Sequence, residues 1–123
     1  MVKSSDYILI IDDSQTNNVL LQAVLDEADY NTHAALSASE GWKLLHEQKP
    51  ALILLDLLMP KISGFHFLDK VKTNSEYKDI PVIIVSALGD DGTIRVLKEK
   101  GAEDFFTKPL DIDRLLKRVS DFV

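Results

Sequence analysis

Two adjacent aspartates, Asp12 and Asp13, end the apolar run "YILII". Side by side, two anions repel, and one carboxyl takes a raised pKa unless a cation or solvent relieves the pair. Positive charge is therefore expected beside them. Three more polar groups stand in the same kind of position: Asp56 follows "LILL", Ser86 closes "VIIVS" and Lys108 follows "DFFT". The chemistry these groups offer is that of charge. Acids attract a cation, an ammonium attracts an anion, and a hydroxyl donates a hydrogen bond to one.

Groups so far apart in sequence act together only if the fold brings them to one place. The runs Tyr7 to Ile11, Leu52 to Leu55 and Val82 to Val85 lack in/out alternation, as strands buried on both faces of a parallel sheet do. Asn31 to Ala35 and Asp104 to Thr107 are weaker strand candidates. Leu20, Leu21, Val24, Leu25 and Ala28 recur at helical spacing, as do Leu68 with Val71 and Leu115, Leu116 with Val119. Ser14 or Ser39 is expected to cap a helix start, Pro50 and Pro81 precede strands, and Gly101 is placed to end a helix. Strand and helix alternate five times along the chain. This order predicts right-handed crossovers and a doubly wound parallel sheet with helices on both faces. Ligands of such sheets bind beyond the carboxyl ends of the strands. Asp12, Asp13, Asp56, Ser86 and Lys108 all stand at such ends.

Composition narrows the function classes. The chain has 123 residues, of which 46% are hydrophobic, enough for one domain core spanning residues 1–123. A net charge of -6 argues against a nucleic-acid surface, which needs a clustered basic face. With no cysteine, disulfides and thiolate metal sites are excluded. No stretch reads as a signal peptide or a membrane span, so a cytoplasmic location is expected.

Together, "IIDDS", "LLDLLMPKISG", "VIIVSA" and "FFTKPL" closely resemble the receiver domain of two-component response regulators, over essentially the whole chain. The resemblance implies a flavodoxin-like fold with five parallel strands in the order 2-1-3-4-5. It further implies that Asp56 accepts a phosphoryl group. Mg²⁺ or Mn²⁺ would be held directly by Asp13, mostly through water by Asp12, and by Asp56 and the backbone carbonyl of Leu58. A hard cation with oxygen ligands suits the acidic pair. Pro60 and Gly64 would shape the loop after Asp56. Lys108 precedes Pro109 in a peptide bond that is cis in this family, and its ammonium would pair with Asp56 or the phosphoryl group. Ser86 would be the switch hydroxyl and Phe105 the switch aromatic, without the hydroxyl many members carry. The surface expected to respond is formed by the fourth helix, fifth strand and fifth helix. The implied donor is a histidine kinase or histidine phosphotransfer protein, and the implied recipient a downstream effector or fused output domain. Neither direct nucleic-acid binding nor membrane contact is expected. Catalysis is limited to the domain's own phosphoryl transfer and loss.

Leu58 and Leu88 stand where family members often carry polar groups, and neither side chain can position an attacking water, so slow phosphoryl loss is expected. Asp90 and Asp91 read as helix caps. His33, His46, His66 and Trp42 show no ligand spacing. A flavodoxin would share the topology, but Asp12 and Asp13 would repel its phosphate. A haloacid-dehalogenase-type hydrolase places two acids one residue apart, not adjacent. A degenerate receiver acting as a docking module is the remaining alternative, though such a module would usually have lost one of Asp12, Asp13, Asp56 or Lys108.

Overall fold

Leu9 and Ile11 point to one side of a buried sheet, and Ile8 and Ile10 to the other. This alternation organises the whole molecule. A computed structural model describes residues 6–59 and 63–123. Pro60 falls outside them. Among the described residues the chain runs β1 (Ile8–Ile11), α1 (Gln15–Glu27), β2 (Thr32–Ala35), α2 (Ala38–Glu47), β3 (Leu52–Leu55), α3 (Gly64–Lys72), β4 (Val82–Ser86), α4 (Asp91–Glu99), β5 (Asp104–Thr107) and α5 (Ile112–Val119). The strands pair in parallel in the order β2-β1-β3-β4-β5, as expected.

Two cores result, one on each face of the sheet. Ile11, Leu55 and Ile84 pack with Leu45 of α2, Phe67, Leu68 and Val71 of α3, and Leu97 of α4. Ile10, Leu54, Ile83 and Val85 pack with Leu21 and Leu25 of α1 and with Leu115 and Val119 of α5. Each fully buried Leu or Ile contributes roughly 1.5–3 kcal/mol. The three inner strands are buried at every position, which is why their sequences show no alternation. The edge strands β2 and β5 are only partly buried and read more weakly for that reason.

Side-chain oxygens of Ser14, Ser37, Ser63, Asp90 and Asp111 accept from the helix amide three residues on, each such cap being worth about 1 kcal/mol. Ser39, a cap candidate by its sequence, is not one. Ser37 holds the extended backbone a cap needs and accepts from the Glu40 amide, leaving Ser39 inside the helix. Gly101 adopts φ +106° just after the end of α4, where an L side chain would be strained. In α1, Leu20 lies 59% exposed while Leu21 and Leu25 are buried, so the apolar stripe is narrower than its periodicity suggested.

Candidate functional site

The strand ends deliver their polar groups to one edge of the sheet. Asp12 follows β1 and is buried, Asp13 is exposed, and Asp56 follows β3 and is buried. One carboxylate oxygen from each lies within 4.8 Å of the others. Three hard oxygen donors so grouped, two buried and one facing solvent, fit a hard divalent cation that keeps part of its water.

Lys108, after β5, answers the expectation of positive charge. Its Nζ donates to Asp12 Oδ2 at 3.1 Å and lies 3.9 Å from Asp56 Oδ2. The ammonium thus sits nearer Asp12 than Asp56, and the Lys108–Pro109 bond is cis. The Lys108 amide donates to the Ser86 carbonyl at 3.0 Å, tying the ends of β4 and β5 together. Ser86 is fully buried, and its Oγ accepts from the Leu88 amide at 3.2 Å.

Burial raises the Asp56 carboxyl above its ordinary value, and the Asp12 charge adds to the rise. The Lys108 ammonium, the Leu58 amide and the Ser86 hydroxyl oppose it. The Leu58 amide donates to Asp56 Oδ1 at 3.3 Å. Asp56 is therefore a carboxylate whose negative charge depends on the counter-charge nearby.

Local backbone contacts hold these groups. The Asp56 amide donates to the Ile11 carbonyl at 2.9 Å, locking the third strand end beside the acidic pair. Gly64 packs so closely that a Cβ there would run into the Asp56 carbonyl oxygen and lie 2.7 Å from Leu57 Cα, which leaves glycine as the residue that fits. Ser14 N and Asn17 Nδ2 donate to Asp12 Oδ1 and Oδ2 at 2.9 and 3.4 Å. Asn18 is buried, and its Nδ2 donates to the carbonyls of Asp12 and Ala35 at 2.9 and 3.3 Å.

Asp12, Asp13, Asp56, Ser86 and Lys108 thus lie where the strand ends were expected to put them. Phe105 is half-buried and packs against the core shared by α2, α3 and α4. The Leu58 and Leu88 side chains are exposed, and Asp90 caps α4. His46 and Trp42 meet edge to face, and each meets Tyr77 in the same way. Asn17, Asn18 and the close approach of Gly64 were not legible as site features. An amide in a helix reads as a solvated residue, although Asn18 lies three and seven positions before Leu21 and Leu25, on the buried stripe.

The family profile described as "Response regulator receiver domain" matches residues 8–120. Protein PilH of Pseudomonas aeruginosa is 37% identical over 114 residues, covering 92% of this chain and 93% of that protein. The DNA-binding dual master transcriptional regulator RpaA of Synechocystis sp. is 36% identical over 112 residues, covering 91% of this chain and 46% of that protein. The chain thus spans about half the length of that relative. Among solved structures, a response regulator receiver protein from Pseudomonas putida superimposes with a TM-score of 0.90 at 26% identity, covering 98% of this chain and 99% of that one. The receiver domain of a signal transduction histidine kinase from Syntrophus aciditrophicus gives 0.86 at 32% identity, over 95% and 89%. With its five parallel strands in flavodoxin-like order and an acidic cluster at their carboxyl ends, this chain belongs to the response regulator receiver family.

Proposed function

We propose that residues 1–123 act as one receiver that accepts a phosphoryl group on Asp56 and changes its surface in response. The observation that carries this reading is the meeting of Asp12, Asp13, Asp56 and Lys108 at one strand edge. Asp13 and Asp56, with the Leu58 carbonyl and water-bridged Asp12, would hold Mg²⁺ or Mn²⁺. When bound, such an ion supplies counter-charge to an approaching phosphoryl group. An Asp56 oxygen attacks phosphorus as the donor's bond to it breaks, forming an acyl phosphate. Lys108 then has a new anion to pair with, and Ser86 a new acceptor for its hydroxyl proton.

The donor is a histidine kinase or histidine phosphotransfer protein, and the reader a downstream effector or fused output domain. The setting is cytoplasmic. In support, no helix among the described residues is long and apolar enough to cross a membrane, and the net charge of -6 disfavours direct nucleic-acid contact by this domain. Leu58 and Leu88 offer no polar group to orient water, so the phosphoryl group is lost slowly.

Phosphorylation biases an existing equilibrium between two packings. Ser86 moves toward the phosphoryl group, Phe105 turns inward, and the α4, β5 and α5 surface changes. Amide shifts with and without beryllofluoride test this. The reading expects changes from Asp56 through Ser86 to Phe105, reduced in Ser86→Ala. Changes confined to residues touching Asp56 would instead favour a passive docking module.

A further inference from the structure

We infer that Asn18 is a positioning residue for the cation site, holding the peptide between Asp12 and Asp13 in the plane that directs Asp13 toward Asp56. The inference rests on the cation reading of the acidic cluster. The Asn18 Nδ2 donates to the carbonyl of Asp12 at 2.9 Å and to that of Ala35 at 3.3 Å. The Ala35 carbonyl also accepts from the Asp12 amide at 3.1 Å. Asp12 is thus held from both sides of its backbone, by the end of β2 at its N–H and by Asn18 at its carbonyl.

That carbonyl shares one rigid plane with the nitrogen of Asp13. Fixing it fixes the direction in which Asp13 leaves the strand. Asp13 is exposed, so packing around its own side chain does little to aim it. The peptide before it carries that task.

The position is an unusual one for an amide. Asn18, Leu21 and Leu25 are the buried residues of α1, and a leucine would continue that stripe. Asn18 instead brings a buried Oδ1 that has no hydrogen-bond partner among the described residues. A half-satisfied buried amide costs the desolvation of its unpartnered oxygen, which a leucine would not incur. Its donor, aimed at the carbonyl behind the acidic pair, accounts for its presence. Groups that orient metal ligands without touching the metal commonly change affinity by about 10- to 100-fold when removed.

The test is Mg²⁺ titration followed by amide shifts, with thermal unfolding measured in parallel, on wild type, Asn18→Leu, Asn18→Ala and the core variant Leu21→Val. Both Asn18 variants are expected to bind Mg²⁺ about tenfold more weakly, with the same residues shifting at saturation. Leu21→Val should lose thermal stability and keep the wild-type affinity. If Asn18→Leu does not fold, Asn18→Ala carries the same comparison at low temperature. Wild-type affinity in a folded Asn18 variant overturns the inference, and so does an equal loss of affinity in Leu21→Val. A wild type that binds no Mg²⁺ overturns the cation reading first, and this inference with it.

Discussion

Lys108 and Asp12, 96 residues apart in the chain, meet at 3.1 Å. The same ammonium stands 3.9 Å from Asp56, so it neutralises chiefly the buried member of the acidic pair. Lys108→Ala leaves Asp12 and Asp56 buried without that charge. Because the lysine side chain is 24% exposed, the loss is put below that of a fully buried pair, at about 1–3 kcal/mol at neutral pH. Urea unfolding with and without Mg²⁺ checks this, and Mg²⁺ should restore part of the loss. A variant as stable as wild type, with no greater response to Mg²⁺, would show that the pair matters little.

Tyr7 gives a pH dependence that is independent of the site. Its hydroxyl donates to the Gln48 carbonyl at 2.6 Å, and burial, followed by the Glu47 charge, pushes it from 10.0 up to about 12. The folded value lies above the unfolded one, so the contribution is fully present below pH 10 and is lost as pH rises through 12. Its size is at most about 2–3 kcal/mol. In Tyr7→Phe that alkaline loss should be absent from the stability–pH curve. Parallel curves for both proteins from pH 10 to 12 would contradict the assignment.

Gly64→Ala should injure the loop after Asp56 more than an ordinary helix-start substitution does. The added Cβ meets the backbone of Asp56 and Leu57, and backbone cannot yield as a flexible side chain can. A cost of about 1–3 kcal/mol is expected, with a reduced phosphorylation rate at saturating Mg²⁺. Calorimetry and a donor assay measure the two effects. An unchanged melting temperature would mean that the loop accommodates the methyl group freely.

The inner strands were legible because burial on both faces leaves a continuous apolar run, and their ends marked Asp12, Asp56 and Ser86. The helices on α1, α3 and α5 announced themselves by period. In α4, Leu97 is the buried residue, so that helix followed from the alternation of elements and not from its own pattern. The cap of α2 was placed at Ser39 and not at Ser37 because residue type does not encode the extended backbone that Ser37 adopts. The preference of Lys108 for Asp12, the approach of Gly64 and the aim of Asn18 depend on strands brought together by the sheet. A linear pattern carries no such distances.

Whether Asp56 accepts the phosphoryl group is measured at the site of attachment. Incubated with Mg²⁺ and acetyl phosphate, the protein should gain the mass of one phosphoryl group, removable by base and by hydroxylamine as an acyl phosphate is. Peptide mapping should place it on Asp56, and Asp56→Asn should gain none. Retained label in Asp56→Asn, or label mapped to a serine or threonine, would contradict the account.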